Sequence, residues 1–384
     1  MWHITSETGT CIYTVIDMKF DVERLIREEV KDLPVYSPGK SPEEVAREFG
    51  LESCVKMASN ENPVGPSPKA VEAVKAALST MNIYPDGNSS ELKQAISRKL
   101  GIETESLLIA HGADEVFDLL AYAFLDAGRD MVVGDPSFSS YELAARTMGA
   151  TVCHVPLKEY RQDIPAMLQA AGENTSMAML CTPLNPTGTT VSTAELEEML
   201  NNLPENAILV LDEAYVEYVT DPQHPDAMAY FKDYPQLVIT RTFSKIYGLA
   251  GLRVGYAICR PEIRQALEKV KLPFNVNRLG QVAALAALED EEHVLRSREI
   301  NKQGKQRLYN ILDELGLGYV PTQANFILVK NGDYPDLFEK LLRLGIIVRD
   351  GEALGLPGHV RITIGDDVQN DRLEQALVRV VGEG

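Results

Sequence analysis

Residues 177–188 read MAMLCTPLNPTG, residues 207–215 read AILVLDEAY and residues 236–245 read QLVITRTFSK. Each is a short apolar run that ends in a polar cluster. Runs of this kind, bounded by Gly, Pro or Asp, read as strands buried on both faces, the sort that builds a mainly parallel sheet. SLLIAHG (106–112), MVVGDP (131–136), TVCHVPL (151–157) and VGYAICR (254–260) have the same character. Helical patterns separate several of them, among them ADEVFDLLAYAFL (113–125), YELAARTMG (141–149) and TAELEEMLNNL (193–203), as βαβ units require.

Outward from this centre the pattern changes on both sides. Residues 31–68 are rich in Pro and Gly around one short helix, PEEVAREFG (42–50), and read as an extended arm that needs a surface to lie on. FDVERLIREEV (20–30) has an amphipathic pattern, and residues 1–17 read equally as native chain or as an appended leader. KAVEAVKAALSTM (69–81) and ELKQAISRKLG (91–101) are helices joined through the turn YPDGNSS. After LPFNVN (272–277), one long helix is expected over 278–316, followed by the β-rich runs ANFILVK, GIIVRD and HVRITIG. The fold class is therefore α/β: a large domain with a mainly parallel sheet flanked by helices, plus a smaller α+β C-terminal domain. The expected divisions are 1–54 for leader and arm, 55–275 for the large cofactor-binding domain and 276–384 for the small one, with the boundary near Asn275.

The chain has 384 residues, a size that favours two domains. Its formal charge of −19, from 37 basic against 56 acidic residues, argues against nucleic acid and against anionic membrane surfaces as partners. Any anionic ligand must be held by a local cluster of cations. The five cysteines are scattered and never form a C-x-x-C pair, which suits a reducing cytoplasm and gives neither a disulfide framework nor a metal site. No apolar run approaches the ~18–20 residues of a membrane span.

The chemistry-bearing residues follow strands. Asn185 lies after the first quoted run, Asp212 and Tyr215 after the second, and Lys245 after the third, with Arg253 in LAGLRVG beyond it. Ligands of open parallel sheets sit outside the carboxyl ends of the strands, so these side chains should meet in one crevice. A carboxylate, a phenol, an amide, a lysine and an arginine suit pyridoxal 5′-phosphate. The lysine amine would condense with its aldehyde and act as the catalytic group, and the carboxylate would keep the ring nitrogen protonated. The amide and phenol would contact the ring oxygen. Thr242, Ser244 and Arg253, with the backbone N–H groups of Ala113 and Asp114 at a helix start, would hold the phosphate. Phe138, in DPSFSSY, would stack on the ring. Each element alone has an ordinary reading: a solvated lysine, a helix cap, an Asn-Pro turn, a core phenylalanine. Their joint occurrence, each after its own strand, carries the assignment.

On these segments the chain resembles the fold-type-I pyridoxal-phosphate aminotransferases of class I/II, and within them the histidinol-phosphate aminotransferases. The resemblance runs from about Leu33 to the C-terminus and includes LPVYSPGKSPEEVAREFG, ASNENPVGPSP, IYPDGNSSEL, HGADEVFDLL, DPSFSSYELAA, TPLNPTG, DEAYVEY, TFSKIYGLAGLRVG, LPFNVN, QANFILV and GIIVRD…RITIG. It implies transfer of the amino group between L-histidinol phosphate and 2-oxoglutarate, giving imidazole-acetol phosphate and L-glutamate, in histidine biosynthesis in the cytoplasm. It also implies a homodimer with shared sites, in which Tyr84 reaches the neighbouring subunit's cofactor phosphate. Arg361, Arg349 and Tyr36 would bind the substrate's phosphate. Related chains leave an aromatic-amino-acid aminotransferase and a decarboxylase of phosphorylated amino acids as alternatives. In this chain the turn after YPDG reads NSS, and GDD after RITI puts Asp366 close to the expected anion site.

Overall fold

The computed structural model describes residues 20–35 and 39–382. Its strands, in chain order, are β1 (Val55–Lys56), β2 (Leu107–Ala110), β3 (Asp130–Asp135), β4 (Thr151–Pro156), β5 (Thr175–Cys181), β6 (Ile208–Asp212), β7 (Leu237–Thr242), β8 (Gly255–Ile258), β9 (Tyr319–Val320), β10 (Phe326–Lys330), β11 (Ile346–Ile347), β12 (Arg349–Asp350) and β13 (His359–Thr363). Seven of them form one sheet in the order β2-β8-β7-β6-β5-β3-β4. All its pairings are parallel except those of β8, which runs antiparallel to β2 and β7. The link from Thr242 to Gly255 holds only a short 3-10 turn, too little for the crossover helix that a parallel return needs.

Side-chain alternation splits the central strands between two cores. Leu209, Leu211, Ile239 and Ile258 enter one core with the helices Ser90–Leu100 and Arg278–Leu288. Ile208, Val210, Val238 and Ala257 enter the other, with the helices Gly112–Phe124 and Ser139–Thr147. The sheet is thus covered on both faces, which is why its strands read as unbroken apolar runs.

The second sheet is four-stranded and antiparallel, β12-β13-β10-β9, with the helices Leu337–Arg343 and Asp367–Gly382 against it. The helix expected over 278–316 is two helices, Arg278–Leu288 and Glu291–Glu314, broken where Asp290 accepts the Ser67 hydroxyl at 2.5 Å. The first packs on the helices Pro68–Ala77 and Ser90–Leu100 of the large sheet's layer. The second carries the chain to the small sheet. At the other end, Val55–Lys56 pair in parallel with Ile346–Ile347, and the helix Pro42–Phe49 packs through Val45 on Leu342. Arg278–Leu288 thus packs with the large sheet's helices, and residues 42–57 with elements beside the small sheet.

The segment ahead of the arm lies on the large unit. FDVERLIREEV does not form a continuous helix but two isolated turns, Val22–Arg24 and Glu28–Lys31. These lie against the helix Ser139–Thr147, where Arg146 donates to the Asp32 carbonyl at 3.2 Å and Arg27 to that of Thr147. Most apolar residues of FDVERLIREEV stay exposed, including Phe20 and Leu25, so the amphipathic pattern buries too little to sustain a helix.

Candidate active site

A cavity of about 430 Å³ opens at the carboxyl ends of β5, β6 and β7. It brings together Ala113, Asp114, Phe138, Asn185, Asp212, Tyr215, Thr242, Ser244, Lys245, Arg253, Arg349 and Arg361. Of the residues named from the sequence, two remain. Tyr36 lies outside the described residues. Tyr84 is 75% exposed on the molecular surface, stacked on Phe274 at 4.7 Å between ring centroids, and does not line this cavity.

Asp212 ends β6 and is buried. It accepts hydrogen bonds from the Ala214 N–H at 3.0 Å, the Thr240 hydroxyl at 3.2 Å and the Tyr141 phenol. Burial pushes its carboxyl up to about 6, although these hydrogen bonds pull the other way. Among the described residues no cation pairs with it. Its neighbour Glu213 points to the opposite side of the strand and takes Arg241 in an ion pair at 2.7 Å. Of two adjacent carboxylates, one is neutralised within the fold and the other faces the cavity.

Lys245 follows β7. Its Nζ donates to the Ser59 carbonyl at 3.2 Å and lies 5.5 Å from the centroid of the Tyr215 ring. Burial, and then the charge of Arg361, draw its pKa down to about 8, against the opposing pull of Glu61 and Asp114. The amine can therefore shed its proton within reach of neutral pH.

The helix Gly112–Phe124 opens toward Arg253, which donates to the Asp114 carboxylate at 2.6 Å and lies 3.5 Å from the Ser244 hydroxyl. First-turn N–H groups have no acceptor within their own helix, so those of Ala113 and Asp114 suit an anion. Two glycines bring these parts together. A Cβ on Gly112, at φ +77°, would come within 2.5 Å of Arg253 Nη2, and one on Gly255 within 2.6 Å of the Ala113 nitrogen. The hydroxyls of Thr242 and Ser244 bond one another at 3.0 Å.

Arg361 is buried and donates to Asn185 Oδ1 and, at 2.7 Å, to the Ala58 carbonyl. It is the register partner of Arg349 across β12 and β13, so both side chains leave one face of the sheet side by side. Arg349 forms no ion pair among the described residues. Asp366 is not a cavity residue: it caps the helix Asp367–Gly382, accepting the Gln369 N–H at 2.8 Å, so the charge expected near the anion site is used elsewhere.

Sequence reasoning passed over Tyr141, Cys181, His154, Glu142 and the Ala58–Asn60 segment, all of which line the cavity or bond to its residues. Tyr141 stands within DPSFSSY, and a tyrosine next to a loop that follows a strand was the available signal. Residues 58–60 open ASNENPVGPSP, a stretch that carries the family resemblance, but only the contacts show their part in the site.

The family pattern of class I and II aminotransferases matches residues 52–377. This chain belongs to the class I and II aminotransferases. It is similar to the histidinol-phosphate aminotransferase of Moorella thermoacetica, with 47% identity over 357 residues, 92% of either chain. The histidinol-phosphate aminotransferase of Brevibacillus brevis is 45% identical over 92% of this chain and 98% of its own length. Among solved structures, the histidinol-phosphate aminotransferase of Sinorhizobium meliloti in complex with pyridoxal-5′-phosphate superposes with a TM-score of 0.85 at 29% identity, covering 93% of this aminotransferase and 98% of that chain.

Proposed function

We propose that this aminotransferase uses pyridoxal 5′-phosphate to exchange the amino group between L-histidinol phosphate and 2-oxoglutarate, forming imidazole-acetol phosphate and L-glutamate. The observation that carries the substrate is the Arg349–Arg361 pair. Two like charges at paired positions of adjacent strands destabilise a sheet unless something between them compensates. A phosphate dianion does so, and a single carboxylate needs only one of the two. The histidinol-phosphate aminotransferases at 45–47% identity support the same reading.

The residues fit the cofactor. A buried carboxylate with no cation among the described residues matches a protonated ring nitrogen, and its raised pKa marks the missing partner. Hydroxyls, an arginine and first-turn N–H groups stand together where the phosphate would be held. When bound, this cofactor supplies an aldehyde that links to amines and a ring that takes up the electron pair left by a departing proton.

The chain's own residues do the rest. Asp212 would hold the ring N–H, with Tyr141, Thr240 and Ala214 fixing its oxygens. Lys245 Nζ, with its lowered pKa, would take the proton from the substrate carbon and return it on the cofactor side. Asn185 and Tyr215 would bind the ring oxygen, and Phe138 would cover one ring face. Arg349 and Arg361 would clamp the substrate phosphate.

Steady-state kinetics test the substrate. Removing one charge-assisted contact costs about 1.5–3 kcal/mol, or roughly 10- to 150-fold in kcat/KM. Arg349→Ala should lose that factor with histidinol phosphate and much less with phenylalanine or tyrosine. Arg361→Ala should damage both. Equal losses on both substrate types in Arg349→Ala would make an aromatic-amino-acid aminotransferase the better reading.

The active unit is a homodimer in this reading. Tyr84, Ile83, Met81, Leu272 and Phe274 are exposed, an apolar surface of the kind that a second copy covers. Tyr84 would then reach the partner's cofactor phosphate. Light scattering on the loaded protein should give twice the 42.4 kDa of one chain, and a mass of one chain would remove Tyr84 from the site. Four cysteines, Cys54, Cys153, Cys181 and Cys259, carry free thiols, which suits the cytoplasm. No helix among the described residues is long and apolar enough to cross a membrane.

A further inference from the structure

Asn60 stands in ASNENPVGPSP, is 1% exposed and adopts the left-handed conformation at φ +57°. Asparagine tolerates this region better than most side chains do. The conformation lets its backbone N–H and its side chain meet one hydroxyl. The N–H donates to Thr363 Oγ1 at 2.9 Å, and Thr363 Oγ1 lies 3.2 Å from Asn60 Oδ1. A hydroxyl has one proton to give. Thr363 Oγ1 accepts the N–H and gives its own proton to Oδ1, so the amide oxygen is the end that faces Thr363. The other end, Nδ2, donates to the Tyr215 oxygen at 3.0 Å. The phenol is therefore an acceptor toward Asn60, and its own proton must point elsewhere. Thr363 lies two residues after Arg361 on the same face of β13, and Arg361 holds the Ala58 carbonyl two residues before Asn60. One short segment thus joins the anion-holding arginine to the phenol.

We propose that Asn60 is a positioning residue that makes Tyr215 a committed hydrogen-bond donor to the cofactor's ring oxygen. The inference rests on the reading that pyridoxal 5′-phosphate occupies the cavity. A phenol that donates to that oxygen competes for the proton shared between the oxygen and Lys245 Nζ, so losing the donor raises the pH at which this proton leaves. The other groups facing the phenol are Arg361 from β13, Asp212 from β6, Cys181 from β5 and Lys245 after β7, with the edge of Phe326 from β10.

The test is the pH titration of the loaded dimer's near-visible absorption, with the thermal midpoint of each apoprotein measured alongside. Asn60→Asp keeps the size and the left-handed conformation but offers only acceptors, drawing the phenol proton to itself. Its absorption midpoint should rise by about one pH unit, a tenfold change in proton affinity. Thr363→Val frees the amide to turn and should move the midpoint in the same direction by roughly half as much, while Thr363→Ser should leave it in place. In a Tyr215→Phe background the Asn60→Asp shift should vanish. A shift that persists there would come from through-space charge and would overturn the proposal. So would a wild-type midpoint in Thr363→Val, which decides the matter if Asn60→Asp does not fold. Wild-type protein that takes up no cofactor would overturn the functional reading, and this inference with it. A wild-type titration with unmoved variants overturns the inference alone.

Discussion

Lys245→Ala is expected to retain the fold and to lose turnover by about 10²–10⁴-fold, the range that a positioned acid–base group contributes. The basis is the place of Nζ among the groups around it. It sits 3.2 Å from the Ser59 carbonyl and above the Tyr215 ring, with burial and Arg361 drawing its pKa to about 8 from the ordinary lysine value of 10.5. The neutral amine carries the lone pair that reacts, and it predominates above the pKa. Uptake of cofactor by the apoprotein should therefore accelerate with pH up to about 8 and then level off, instead of climbing toward 10.5. Borohydride reduction of the loaded enzyme followed by peptide mapping should place the label on Lys245. A label on another lysine would end the assignment.

Asp212→Asn should bind cofactor through Thr242, Ser244 and Arg253 yet turn over about 10³-fold more slowly, because a preorganised charge aimed at the reacting system is worth several kcal/mol. The amide keeps the shape of the carboxylate, removes its charge and turns one acceptor oxygen into a donor, so one of the present donors, such as the Tyr141 phenol, must turn away. Glu213→Gln provides the control, since that carboxylate faces Arg241 on the other side of β6. Equal kinetic losses in the two variants would show that the fold, and not a charge at the ring, is what Asp212 maintains.

The sheet and the strand-end residues were legible in the sequence because they depend on local pattern. MAMLC, AILVL and QLVI are apolar without alternation, and the polar residue that follows each one falls at the end where ligands sit. The site's supporting contacts were not legible, because they join residues far apart. Tyr141 meets Asp212 across 71 residues, and Asn60 meets Thr363 across 303. The break at Asp290 was hidden for a related reason. EDEEHV contains neither Gly nor Pro, yet Asp290 leaves the helical conformation as the N-cap of the next helix, and its carboxylate accepts the hydroxyl of Ser67, more than two hundred residues earlier. Asp366 shows the converse error: a charge placed near the anion site by sequence proximity to Arg361 is turned away to cap a helix.

The pairing of Val55–Lys56 with Ile346–Ile347, and of Asn60 with Thr363, sets an order on biosynthesis. A ribosome adding roughly 5–20 residues per second takes about 15–60 s to supply the 303 residues that separate Asn60 from its hydroxyl. Within that interval the seven-stranded sheet, complete once Ile258 is made, can assemble, while residues 55–60 wait without their strand. Tyr215 and Asn185 then acquire their small-domain partners only as the final fifth of the chain emerges. A nascent or truncated polypeptide can own Lys245, Asp212 and the Thr242–Ser244 hydroxyls, and still lack the Arg349–Arg361 pair on which the proposed choice of amino donor depends.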